Sequence, residues 1–74
     1  MKIILNGEDF EIAEPLSLSS LLAQLEIDSR RVAVEHNLIV VKREQLDTVT
    51  VCDGDRIEVV NFVGGGTLKA SASA

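Results

Sequence analysis

Asp53-Gly54-Asp55-Arg56-Ile57-Glu58-Val59-Val60-Asn61-Phe62-Val63 is the stretch on which the fold turns. Asp-Gly-Asp reads as a turn, since glycine and aspartate suit the backbone angles that turns require. A run rich in β-branched residues follows, and its period of two places Ile57, Val59 and Asn61 on one face. Arg56, Glu58, Val60 and Phe62 take the other face. Apolar residues on both faces predict a strand in the middle of a sheet, or one covered at its end by a partner.

The strand beside it comes from the opposite end of the chain. Ile3-Ile4-Leu5 and Phe10-Glu11-Ile12 flank Asn6-Gly7-Glu8-Asp9. Asn-Gly between β-type segments is a strong hairpin signal, because both residues accept the positive φ of a type I′ turn. Strands are expected near residues 2–6 and 9–13, with Pro15 blocking further regular pairing. Leu18, Leu21, Leu22 and Leu25 then follow the i, i+3, i+4, i+7 spacing of one helix face. Ser17 is a natural N-cap; Ser20 stands where a capping box needs Glu or Gln. The helix is expected over 18–26. Arg31-Val32-Ala33-Val34-Glu35 reads as a third strand, His36-Asn37 as a turn and Ile39-Val40-Val41 as a fourth strand. Residues 42–50 lack clean alternation and predict a short irregular or single-turn connection.

The order is β-β-α-β-β-β, with the first and last strands side by side in the middle of a mixed sheet. This predicts an α+β domain of the β-grasp (ubiquitin-like) type, about five strands packed against one main helix. The β-grasp domain is expected over 1–63, with a flexible C-terminal tail over 64–74.

Seventy-four residues allow one small domain. A chain of this size buries only about 60% of its unfolded surface, leaving little room for a deep cleft. Such a protein presents a reactive group more readily than it encloses one, and it is read as a non-enzyme. The net charge of −5, with scattered bases, disfavours a nucleic-acid partner, which needs a basic face. No apolar run approaches the ~20 residues of a spanning helix, and Met1-Lys2 leads into a strand rather than a secretory signal. A cytoplasmic protein, monomeric when free, is expected. The one cysteine, Cys52, excludes an internal disulfide and any CxxC site, and the single His36 has no partner that suggests a metal.

After Val63 the composition changes to Gly64-Gly65-Gly66 and then Thr67-Leu68-Lys69-Ala70-Ser71-Ala72-Ser73-Ala74. Neither segment buries enough area to offset an ordering cost of roughly 1–2 kcal/mol per residue. Composition leaves two readings open. One is a linker or frayed terminus. The other is a thread for a narrow enzyme channel, where only glycine passes without Cβ contacts.

Met1-Lys2-Ile3 with Leu5-Asn6-Gly7-Glu8, then Arg30 to Glu35 with Asn37, then Asp53 through Phe62-Val63-Gly64-Gly65-Gly66, resemble the ThiS family of sulfur carriers in thiamine biosynthesis. The resemblance spans residues 1–66 in order and favours the thread. It implies that a C-terminal Gly66 carboxylate is adenylated by an E1-like, ThiF-type enzyme using ATP. A cysteine desulfurase relay then converts it to a thiocarboxylate, and a ThiG-type thiazole synthase receives the sulfur. Gly64 and Gly65 would be the thread. Read from the residues themselves, Phe62 is weighed as a core side chain against an anchor for the adenylating enzyme or the thiazole synthase, and with Arg56 and Glu58 on the same strand it makes the candidate partner-binding set. No catalytic residue, bound cofactor or metal is implied.

The chain departs from that pattern twice. Residues 67–74 follow Gly66, which therefore carries a peptide carbonyl until they are removed. Asn37-Leu38 stands where the family has Asn-Gly, and because leucine disfavours positive φ, a turn of another type is expected. Cys52 could join a sulfur relay, but a lone cysteine beside a strand is more often a small, partly buried apolar residue. His36 as a base is weighed against a surface turn residue, and Arg30-Arg31 as a contact against solvated charges. Other functions compatible with the fold are a molybdopterin synthase small subunit, a ubiquitin-like protein modifier and a non-covalent β-grasp binding module.

Overall fold

The computed structural model describes residues 1–63 and 67–69. Strands β1 (Lys2–Leu5) and β2 (Glu8–Glu11) form the expected hairpin, with Leu5 opposite Glu8. Asn6 and Gly7 have φ of 50° and 83°, the pair of positive angles that a type I′ turn demands. Strand β3 (Leu16–Ser17) leads into helix α1 (Leu18–Gln24). Ser17 Oγ caps that helix by accepting the Ser20 N–H at 3.1 Å. Leu18, Leu21 and Leu22 are all but fully buried, so the leucine stripe faces the sheet as its spacing predicts.

The helix ends earlier than its apolar pattern suggests. Leu25 is the C-cap, and Glu26 takes the left-handed conformation at φ 59°. The Ile27 N–H reaches Leu22 O at 2.9 Å and the Glu26 N–H reaches Ala23 O at 3.0 Å. These are the two bonds of a Schellman motif. Glutamate stands where glycine usually marks this stop, which hides it from a sequence reading. A 3₁₀ turn at Ser29–Arg31, capped by Asp28, then feeds β4 (Val32–His36). β4 pairs with β5 (Ile39–Val41).

The β4–β5 turn corrects the expectation for Asn37-Leu38. Both residues have positive φ, 52° and 73°, so the turn keeps its two-residue form despite the leucine. Tertiary bonds hold it there. The Asn37 N–H donates to Arg56 O at 2.8 Å, and Asn37 Oδ1 accepts the Arg56 N–H at 2.9 Å. Register with the neighbouring strand outweighs the local preference of one side chain.

Residues 42–50 contain the expected single turn, a 3₁₀ segment at Arg43–Gln45. They end in a strand with no counterpart in the sequence reading, β6 (Thr50–Val51), which pairs with β3. Two-residue strands are too short to show a period.

The last long strand, β7 (Arg56–Val63), lies in the middle of a sheet ordered β2-β1-β7-β4-β5. It runs parallel to β1, with Leu5 opposite Ile57, and antiparallel to β4, with Val34 opposite Val59. The α+β β-grasp architecture is thus present: a mixed sheet of five strands and one helix. Ile57 and Val59 are fully buried with Ile3, Val34, Val51 and the helix leucines. A further strand, β8 (Thr67–Lys69), pairs antiparallel with the end of β7, Val63 facing Thr67 and Asn61 facing Lys69. Nothing in the composition after Val63 predicts it.

Candidate functional site

β7 organises the site, because it is the central strand and leads directly into the glycines. Side chains on both its edges pin it. Asn6 Oδ1 accepts the Val59 N–H at 2.8 Å, extending the β1 ladder by one bond after β1 itself has turned away. Asn37 Oδ1 performs the same service for Arg56 on the β4 edge. Both asparagines sit at positive φ in hairpin turns, so each turn is also a tether on β7. The sequence reading took Asn6 for turn chemistry alone. An acceptor aimed at a residue fifty positions away has no local signal.

Of the proposed partner-binding residues, Arg56 is exposed and Glu58 half-buried on the sheet face away from α1. Val60 shares that face. Phe62 is placed by its backbone, in register with Leu68. Gly64, Gly65 and Gly66, the expected thread and reactive terminus, lie outside the described residues. The sequence reading missed Glu35, which lies directly opposite Glu58 on the same face. Period two in Val32-Ala33-Val34-Glu35 was the available signal. Like charges in directly opposed positions disfavour the sheet.

A second polar cluster sits at the start of β7. His36 Nε2 lies 2.8 Å from Asp55 Oδ2, which also accepts the Cys52 N–H at 2.9 Å. Asn37 Nδ2 approaches Asp55 Oδ1 at 3.4 Å. Burial is the largest influence on the Asp55 carboxyl and pushes its pKa up. The hydrogen bonds from Cys52, His36 and Asn37, with the His36 charge, together outweigh burial and hold it below its ordinary value. His36 is therefore a half-buried structural partner at the end of a strand rather than a free turn residue.

Cys52 is exposed, which corrects the expectation of a partly buried apolar residue. Its backbone is committed to the turn while its side chain faces water. His36, paired with Ile57, lies roughly 20 Å of extended strand from Val63, and Cys52 precedes the start of β7 at that same end. Among the described residues no group of three or more His, Cys, Asp or Glu side chains could hold a metal. No described helix is long and apolar enough to cross a membrane, which leaves β-barrel spans unaddressed.

A small β-grasp sheet whose central strand runs out into a glycine triplet defines the ubiquitin-like class of proteins. A profile of the ThiS family matches residues 3–66, and the chain belongs to that family. It is 38% identical over 63 residues to the sulfur carrier protein ThiS of Bacillus subtilis, a match covering 84% of this chain and 96% of that one. It is 42% identical over 72 residues to a thiazole synthase of Paramagnetospirillum magneticum. That match takes in 97% of this chain, so most of the segment after Gly66 shares in it, yet the chain spans only 22% of that relative's length. The crystal structure of a thiamine biosynthesis protein (ThiS) from Geobacter metallireducens superposes with a TM-score of 0.81 at 39% identity. It covers 89% of this chain and all of that one.

Proposed function

We propose that this chain is a sulfur carrier for thiazole formation in thiamine biosynthesis. The observation that carries the reading is the family match over residues 3–66, which ends on the last glycine of the triplet. The chemistry expected of such a chain needs no base of its own. Once residues 67–74 are removed, the Gly66 carboxylate attacks the α-phosphorus of ATP on a ThiF-type enzyme and expels pyrophosphate. The acyl adenylate has a good leaving group: a persulfide sulfur from a cysteine desulfurase relay displaces AMP to give an acyl disulfide, and a second thiol then attacks the S–S bond, forming a disulfide and releasing the thiocarboxylate. A ThiG-type thiazole synthase then takes the sulfur. Gly64 and Gly65 pass through the partner's channel as backbone alone.

The face bearing Arg56 and Glu58, extended by Glu35, is the docking surface, with Phe62, further along the same strand, as its proposed anchor. The acidic pair supports a basic partner, since opposite fields speed encounter. In this reading the chain acts in the cytoplasm, is monomeric when free, and is a substrate of its partners rather than an enzyme.

One observation favours a second arrangement of the same chemistry. The likeness to the Paramagnetospirillum thiazole synthase runs past Gly66. Residues 67–74 would then belong to a connection between carrier and synthase, and cleavage after Gly66 would release the carrier end.

The deciding experiment is the intact mass of the untagged protein from its native host. A mass ending at Gly66 with one oxygen replaced by sulfur is expected. A mass retaining Thr67 to Ala74 in a host that makes its own thiamine counts against the carrier. Isopeptide-linked adducts would point to a protein modifier instead.

A further inference from the structure

The edge of β7 that faces β1 is longer than β1 can cover. β1 pairs only with Arg56 and Ile57, and the Asn6 side chain takes the Val59 N–H before the chain turns away. The bonds Ile4 N–H to Asp55 O and Asn6 N–H to Ile57 O, both 2.9 Å, show that odd-numbered residues turn their backbone groups to this edge. By the same alternation Asn61 and Val63 present their N–H and C=O groups there. An edge of this kind is a template for another strand. β8 takes that place, and its register makes Asn61–Lys69 and Val63–Thr67 the hydrogen-bonded pairs.

We propose that Thr67–Lys69 acts in cis as a strap on the Asn61–Val63 edge, so that the carrier end is released only after the strap opens. The proposal rests on the carrier reading for its consequence, though not for its geometry. The Gly66–Thr67 bond adjoins a residue paired to the sheet. A protease needs an extended, unpaired substrate, so cutting there follows opening of β8. The strap also fills a stretch of edge that could otherwise accept a strand from another protein.

The test compares the chain of residues 1–74 with one ending at Gly66. Amide hydrogen exchange at Asn61 and Val63 should be about tenfold or more slower in the longer chain, with Ile57 and Val59 alike in both. Lys69→Pro, which lacks the N–H paired with Asn61, should give the exchange pattern of the short chain within the long one. A glycyl endopeptidase, which cuts after glycine, should cleave the Lys69→Pro chain about tenfold faster than the parent. Equal exchange at Asn61 and Val63 in the two lengths would overturn the strap. Different exchange with equal cutting rates would overturn its control of release. Failure of the carrier reading would appear in the intact mass and leave the exchange result as it stands.

Discussion

Leu38 holds φ at 73° with 72% of its surface in water. A side chain in the left-handed region costs roughly 1–2 kcal/mol, and at this exposure no core contact offsets that cost. Leu38→Gly should therefore raise stability by about 1 kcal/mol, less a few tenths for the freer unfolded chain. The urea midpoint should rise with an unchanged slope; an unchanged or lower midpoint would show that the leucine has packing its exposure hides. Asp55 gives a pH signature. Its carboxyl is held below the ordinary 3.8, because the hydrogen bonds together exceed the burial that raises it. A depressed folded value contributes stability that is fully present above 3.8 and is lost as pH falls through the lower folded value. Asp55→Asn should be the less stable protein near neutrality, and its deficit should shrink below about pH 4. Urea midpoints measured across that range decide it; a deficit that stays constant would mean that charge is not the cause.

The elements meet at places where one residue does more than its local type suggests. Asn6 makes a hairpin turn and also caps Val59 across the sheet. Asn6→Gly keeps the permissive backbone but removes the acceptor, so it should cost about 1–2 kcal/mol even though glycine suits the turn. Faster amide exchange at Val59 should accompany the loss, and a neutral substitution would show that water replaces the bond. At the end of α1, Glu26 occupies the left-handed position of the Schellman motif at φ 59°. Glu26→Gly should stabilise by about 1 kcal/mol, visible as a higher melting temperature with the helix signal retained. The start of this helix was legible because Ser17 is a chemically distinct cap. Its end was not, because glutamate carries no such mark. The same contrast separates the Asn6-Gly7 turn, legible in both place and type, from the Asn37-Leu38 turn, legible in place but not in type.

At the scale of the whole molecule, the carrier reading makes the fold a handle for a reactive end. Under the carrier reading, a chain ending at Gly66 with Gly65→Leu should fold normally but fail to be adenylated. Pyrophosphate release with a ThiF-type enzyme reads the chemistry, and the unfolding midpoint reads the fold. Retained adenylation would count against threading. The amino-acid sequence alone determined the β-β-α-β-β-β order of the main elements, the leucine stripe of α1, the Asn6-Gly7 hairpin and the central place of β7. Each of these is written in spacing of two or about 3.6 residues, or in turn residues, within a few positions of one another. The resemblance over residues 1–66 likewise needs nothing but order along the chain. Only the tertiary structure decided the β3–β6 pair, the strand at Thr67–Lys69, the positive φ of Leu38, the Glu35–Glu58 opposition and the bonds that Asn6 and Asp55 make. Those features depend on which distant backbone or side chain arrives at a given edge. Partners such as Asn6 and Val59 leave no mark on their neighbours in sequence, and the sheet alone brings them together.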